Sequence, residues 1–378
     1  MTSTTTYKIL VLPGDHVGPE VVAEALKVLD VVQECRSDIT FERTFDLAGG
    51  ASINKHGVPI TEAVLEKAVQ SDAVLFGSIG GPEWAGAVPT PESGLLALRH
   101  RLNAFANIRP CEFYAPSLVS QSPIKEALVK GTKFVVVREN CGGAYFGAKT
   151  EEADVASDLW EYKTPEIERL AHVSAAVARM MGSGKSDGKP ATVWSSDKAN
   201  VLANSRLWRR VTQSVFEKEY PDIDLQHQLA DSMAMLMVAK PTRFNGVIHT
   251  DNTFGDILSD VSGGITGTLG VLPSASISAV PGGRCNGIYE PVHGSAPDIS
   301  GKGLVNPVAQ ILSLAMMLRY SFLMADEAAA IEAAVSTVLE SKEGGGLELR
   351  TADLGGSATT TQVGAAVCEE LKKLLAKA

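Results

Sequence analysis

Asn252-Thr253-Phe254-Gly255-Asp256-Ile257-Leu258-Ser259-Asp260 places two acids four residues apart in a helical pattern. Residues so spaced are surface neighbours, roughly 5–6 Å apart at Cβ, so Asp256 and Asp260 share one face while Ile257, Leu258 and Val261 point elsewhere. Carboxylates this close repel, and one takes up a proton unless a cation lies between them. An oxygen-only ligand pair suits a hard ion, Mg²⁺ or Mn²⁺. A solvated helix face carrying two acids is the competing reading, and the pair alone does not exclude it. Its surroundings decide.

Around this stretch strands and helices alternate. Tyr7–Leu12 is a β-rich run, followed by helical spacing over Pro19–Cys35 (Val21, Val22, Ala25, Leu26, Leu29). Phe41–Phe45 reads as a strand, Thr61–Val69 as a helix and Ala73–Phe76 as a buried strand. Beyond Phe105, Lys133–Arg138 and Ala144–Phe146 read as strands and Pro165–Met181 as a long helix. Val193, Leu225–Leu229 and Gly246–His249 continue the strands. A strand near Ile277, a core helix from Pro307 and terminal helices over Glu327–Leu339 and Thr361–Leu375 complete the pattern. The alternation predicts an α/β fold with a largely parallel sheet. The Gly- and Pro-rich tract Gly263–Gly287 reads as a crossover, giving a discontinuous first domain, 1–104 with 267–378, and a second over 105–266.

A chain of 378 residues exceeds one ordinary core. Its net charge of -10 argues against nucleic acid and anionic membrane as partners, so any anion-binding arginines are concentrated locally. Five scattered cysteines without a CxxC pair fit reduced thiols. No apolar run reaches the length of a membrane span, and the polar start Met1–Thr6 resembles neither a signal nor a transit peptide. A cytoplasmic location is expected.

Two glycine-rich stretches are decoys. Gly182-Ser183-Gly184-Lys185-Ser186 has Arg179 where a phosphate loop needs glycine, and reads as a surface loop. Gly14-Asp15-His16-Val17-Gly18 lies between strand and helix but is not GxGxxG, a motif the chain lacks, so a standard Rossmann site is not expected.

Three arginines stand at element edges: Arg99, Arg109 and Arg138. Their planar forks suit bidentate carboxylate binding, and converging they would hold a dicarboxylate; singly each reads equally as a surface ion pair. Tyr145, in Gly142-Gly143-Ala144-Tyr145-Phe146-Gly147, is a proton-donor candidate or a half-buried aromatic. Lys198 is a candidate base. Asp231, following a strand, is a helix N-cap or a third metal carboxylate. The small-residue turn His293-Gly294-Ser295-Ala296-Pro297-Asp298 suits close backbone approach by a ligand.

Together these residues resemble the metal-dependent decarboxylating β-hydroxyacid dehydrogenases, over essentially the whole chain from Ile9 to about Leu375. The stretch Asn252–Asp260 with its run to Gly270 is similar to that family's signature. Leu95-Leu96, Ala106-Asn107-Ile108-Arg109-Pro110, Gly142–Gly147 and Asp353-Leu354-Gly355-Gly356 resemble the fungal isopropylmalate-oxidising branch. Two departures stand out: His16-Val17 where many members have Gly-Ile, and Asn140-Cys141 where bacterial members have Leu-Thr. Asn140 is shared with isocitrate and homoisocitrate relatives, whereas those carry Glu-Gly at Gly142-Gly143.

The resemblance implies the two-domain isocitrate/isopropylmalate dehydrogenase-like fold and NAD-dependent oxidative decarboxylation of 3-isopropylmalate in leucine biosynthesis. A sister enzyme acting on isocitrate, homoisocitrate or tartrate, or a non-catalytic regulatory paralogue, is the alternative. It implies that Arg99, Arg109 and Arg138 clamp the malate carboxylates. Glu92, Leu95, Leu96 and Val201 would meet the substrate's alkyl side. Asp231, Asp256 and Asp260 would hold Mg²⁺ or Mn²⁺, with Asp231 also touching substrate, and Tyr145, Lys198 and Asp231 would be catalytic. Gly81, Glu290, His293, Gly294, Ser295, Ala296, Asp298, Ile299 and Asn306 would bind NAD. Lys198, Val201 and Asp231 would come from the second chain of a homodimer.

Overall fold

The computed structural model describes residues 4–184, 188–283 and 285–376. Lys185–Asp187, which include the last two residues of the first glycine-rich decoy, and Met1–Ser3 lie outside the described residues. The strands are β1 Thr5–Gly14, β2 Ile39–Phe45, β3 Ala73–Ser78, β4 Ala106–Glu112, β5 Lys133–Glu139, β6 Lys149–Glu151, β7 Ala156–Asp158, β8 Val193–Asp197, β9 Leu225–Leu229, β10 Gly246–Thr250, β11 Pro273–Ile277 and β12 Gly287–Pro291. The α-helices are α1 Gly18–Cys35, α2 Gly50–His56, α3 Glu62–Gln70, α4 Pro91–Leu102, α5 Glu126–Val129, α6 Thr164–Met181, α7 Ala203–Glu219, α8 Ala230–Ala239, α9 Asn252–Thr266, α10 Val308–Tyr320, α11 Ala325–Leu339 and α12 Thr360–Leu375.

One sheet runs in the order β2-β1-β3-β12-β11-β4-β5-β10-β8-β9, and β6 with β7 forms a separate hairpin. The strands β2, β1, β3 and β12 are mutually parallel, as are β5, β10, β8 and β9. Between them β11 is antiparallel to both β12 and β4, and β4 is antiparallel to β5. The expected parallel sheet is thus two parallel sets of opposite sense, joined by a central reversal. That reversal builds the site. It sets Asn107 of β4 opposite Arg138 of β5, and Thr250, the last residue of β10, on the other side of Arg138. One residue later Asp251 caps α9 by accepting the Phe254 amide at 2.9 Å, so α9 starts beneath Arg138.

Helix α10 is largely apolar and, Arg319 apart, buried throughout, packed between the sheet and helices α1 and α11. Among the described residues no helix is long and apolar enough to cross a membrane. Ala144–Phe146 is not a strand: Gly143 at φ 71° turns the chain into a short 3₁₀ helix over Gly143–Tyr145. The strand before Lys198 runs on to Asp197, past Trp194: Ser195 and Ser196 are buried and pair through their backbone with β10 and β9, and buried Asp197 pairs with β9.

Candidate active site

Arg138 is buried, and its fork is committed. Its Nε and Nη2 donate to Asn252 Oδ1 at 2.9 and 2.6 Å, and Nη1 pairs with Asp256. The guanidinium lies directly on the first turn of α9, because a Cβ on Gly255 would meet Arg138 Cγ at 2.5 Å. The Tyr145 hydroxyl donates to the other Asp256 oxygen at 2.7 Å, and Arg138 stands 5.7 Å from the tyrosine ring centre. Arg109 donates to Asn107 Oδ1 and Ser259 Oγ, both at 2.8 Å, and reaches Asp260 at 3.3 Å. Arg99, in the last turn of α4, pairs with Glu290 of β12 at 2.8 Å. Arg109 and Arg138 therefore converge on α9, with Arg99 as a charged neighbour of both.

The electrostatics follow. Burial pulls the Arg138 guanidinium down to about 10, helped by its neighbours Arg109 and Arg99. Burial and Arg99 lower Arg109 as well. Burial pushes the Asp256 carboxyl up, but Arg138, Tyr145 and Arg109 outweigh it and hold the group below the usual carboxylate range. Tyr145 is raised to about 12, by burial first and then by its hydrogen bond to Asp256, so it keeps its proton. One expectation is corrected here. The proximity of Asp256 and Asp260 does not lack compensation, because Arg138 and Arg109 supply it.

Lys198 and Asp231 form a separate pair at 2.7 Å. Buried Asp197 shapes the turn that presents Lys198 by accepting the Ala199 amide at 2.8 Å. Asp231 is not a helix cap: α8 begins at Ala230 with Leu229 at its cap, and Asp231 sits exposed in the first turn. Among the described residues no group of three acidic, histidine or cysteine side chains could hold a metal within one chain. Asp256 and Asp260 nonetheless have the chemistry of a hard-ion site, since the Asp260 carboxylate is 69% exposed and free for a further ligand.

A cavity of about 540 Å³ is lined by His293, Gly294, Ala296, Ile299 and Asn306, with Leu304 and Asp353 among its other walls. The His293 Nε2 is buried without a partner while Nδ1 meets the Gly294 carbonyl at 2.9 Å. Asp353 fixes the wall by accepting from Thr268 Oγ1 at 2.6 Å and Asn306 Nδ2 at 3.0 Å. Of the other expected cofactor residues, Glu290 is held by Arg99, Ser295 is buried with its carbonyl accepting the Val17 amide at 3.1 Å, and Asp298 is exposed. Gly81 caps a short 3₁₀ helix, where a Cβ would strike His16 Nε2 at 2.3 Å. Leu95 packs partly on the core and Glu92 is exposed on the same helix; Leu96 is half-buried, and Val201 is 63% exposed.

The model of isocitrate/isopropylmalate dehydrogenases matches residues 8–367. The chain belongs to the isocitrate/isopropylmalate dehydrogenase family. It is 71% identical to the 3-isopropylmalate dehydrogenase of Hapsidospora chrysogena over 98% of this chain and 98% of that protein. It is 51% identical to the 3-isopropylmalate dehydrogenase A of Aspergillus niger over 98% and 99%. The isocitrate dehydrogenase structure from Methylococcus capsulatus is similar at a TM-score of 0.81 and 31% identity, over 97% of this chain and 99% of that one.

Within this family member the two sequence departures have local explanations. Asn140 is buried, donating to Ser276 Oγ at 3.2 Å and the Ala104 carbonyl at 3.4 Å, so it ties β5 to β11. His16, at φ 51°, pairs with Glu83 at 3.0 Å and tilts against Trp84. Sequence reasoning gave no role of their own to Asn107, Asn252 and Ser259. A search for acids and bases skips neutral amides and hydroxyls, although Asn252 opens the very stretch that identified the site.

Proposed function

We propose that this protein catalyses the NAD-dependent oxidative decarboxylation of 3-isopropylmalate to 4-methyl-2-oxopentanoate in leucine biosynthesis, as a homodimer with shared active sites. The observation that carries the reading is that buried Arg138 has Arg109 and Arg99 as close neighbours in a chain whose net charge is -10. Such a cluster fits a small dicarboxylate. The names of the relatives at 71% and 51% identity choose the substrate within that class. The domain division at 104/105 and 266/267 belongs to the same reading, supported by a sheet order that keeps the strands of each segment together.

Asp256 and Asp260 of one chain, with Asp231 of a second copy, would hold Mg²⁺ or Mn²⁺, whose chemistry there is polarisation of substrate oxygens. The cavity lined by His293, Gly294, Ala296, Ile299 and Asn306 would take NAD⁺, the hydride acceptor, with partnerless His293 Nε2 available to it. Arg99, Arg109 and Arg138 bind and orient the two carboxylates. Lys198, from the second copy, takes the proton of the 2-hydroxyl. Tyr145, which keeps its proton, delivers one to C3 after carbon dioxide departs. Leu95, Leu96 and Val201 exclude water around the isopropyl group.

The test is a direct assay of the purified protein with 3-isopropylmalate, isocitrate, homoisocitrate, malate and tartrate, each with Mg²⁺ or Mn²⁺ and with NAD⁺ or NADP⁺. The highest kcat/KM is expected for 3-isopropylmalate with NAD⁺. Preference for another acid overturns the substrate, and preference for NADP⁺ overturns the cofactor.

A further inference from the structure

We propose that Asn252 is a positioning residue that sets the substrate-binding fork of Arg138 and the Tyr145 turn in one register, an inference that rests on the roles given above to Arg138 and Tyr145. Asn252 is 1% exposed at the first position of α9. Its Oδ1 accepts both Nε and Nη2 of Arg138, at 2.9 and 2.6 Å, and its Nδ2 donates to the Gly142 carbonyl at 3.0 Å. The amide can point only one way, because a flipped side chain would set its NH₂ against the donor-only guanidinium. A guanidinium has five N–H donors, and Asn252 takes two of those on Arg138 while Asp256 takes one. One N–H remains on each terminal nitrogen, the pair a bidentate carboxylate requires.

The other end of the amide acts on the turn. Gly142 immediately precedes the 3₁₀ helix Gly143–Tyr145, so the hydrogen bond to its carbonyl anchors the segment that presents the tyrosine. The turn cannot settle elsewhere cheaply. A Cβ at Gly142 would meet Glu139 Oε2 at 2.8 Å, and one at Gly143 would meet Tyr162 Oη at 2.3 Å. Tyr162 Oη lies 2.9 Å from the Asn252 backbone nitrogen, which closes the arrangement from below. Arg138, Tyr145 and the helix bearing Asp256 are thus indexed to one neutral side chain. The two functions are separable: the acceptor serves Arg138 and substrate binding, and the donor serves Tyr145 and turnover.

Asn252→Asp keeps the acceptor and places an oxygen against the Gly142 carbonyl, removing the donor and adding a negative charge that the Arg138 guanidinium neutralises. It should lower kcat about tenfold to a hundredfold while the KM for 3-isopropylmalate changes by less than about threefold, the scale of a misplaced catalytic group. In a Tyr145→Phe background the same substitution should cost less than about threefold in kcat, because the group it positions is already gone. Asn252→Ser, which has neither group at that reach, should raise KM and lower kcat together, and it carries the same cycle if Asn252→Asp does not fold. Losses that add fully in the Tyr145→Phe background, with Tyr145→Phe itself impaired, overturn the coupling and leave the site assignment standing. Unimpaired turnover by Tyr145→Phe overturns both.

Discussion

Arg138 and Asp256 form an ion pair in which the arginine side chain is 3% exposed and the aspartate 36%. The arginine therefore depends on its partners more than the aspartate does, since a buried charge without compensation is expensive. Replacing it with lysine keeps the charge but not the fork: a point-like ammonium cannot satisfy Asn252 Oδ1, Asp256 and a substrate carboxylate together. Arg138→Lys should lose about 2–4 kcal/mol of transition-state stabilisation, roughly thirtyfold to a thousandfold in kcat/KM. Steady-state kinetics with 3-isopropylmalate checks it, and a loss under about threefold would mean the bidentate geometry does not matter.

Beneath that pair lie two buried carboxyls, Glu139 and Asp251, each raised to about 7 by burial. Arg169 pairs with one Glu139 oxygen at 2.9 Å, while the other oxygen has no partner. For an acid whose folded pKa lies above its unfolded value, the contribution to stability is complete below the unfolded value and lost as pH rises through the folded one. Stability should therefore fall between about pH 4 and 7, by on the order of 3 kcal/mol from Glu139 alone. Glu139→Gln should flatten that decline in thermal melts. An unchanged slope of Tm against pH would show that Glu139 does not titrate in this window.

The cofactor reading is tested through Gly270, a glycine of the cavity wall. A Cβ on Gly270 would meet Asp353 Oδ2 at 2.5 Å and Asn306 Cβ at 2.9 Å, both on the wall of the 540 Å³ cavity. Gly270→Ala must push Asn306 into the cavity or break its 3.0 Å hydrogen bond to Asp353. The KM for NAD⁺ should rise about tenfold, a cost within the usual range for overpacking, with the KM for 3-isopropylmalate nearly unchanged. A rise confined to the organic acid would place NAD⁺ elsewhere.

Much of this was legible because periodicity and burial follow the same rules along the chain. Helix α9 and strand β9 fall where apolar spacing puts them, and the acids of α9 do share a face with the arginines. What the sequence hid is what the third dimension decides. The reversal at β11 and β4 leaves no local signal, because strand sense depends on which edge is already occupied. Ala144–Phe146 has strand-like residues, yet Gly143 dictates a turn. The repulsion between Asp256 and Asp260 looked uncompensated because Arg109 and Arg138, the cations that relieve it, lie more than a hundred residues away.

Lys198 and Asp231 are bonded to each other, and no hydrogen bond or ion pair among the described residues joins them to Arg138, Asp256 or Asp260. Exposed Met235 and Val238 on α8 and Ile257 on α9 provide an apolar face beside these groups, as an interface between copies would need. If each site is completed by a second copy, Lys198→Met and Asp256→Asn damage different chains' contributions to it. Each variant alone should be inactive. Unfolded together and refolded, they form mixed dimers in which one site carries both lesions and the other carries neither. Random pairing makes half the dimers mixed, with one sound site of two, so activity should return to roughly one quarter of the unmodified protein, as two-fold symmetry requires. Mixed dimers seen by native mass spectrometry without recovered activity would place the whole site within one chain.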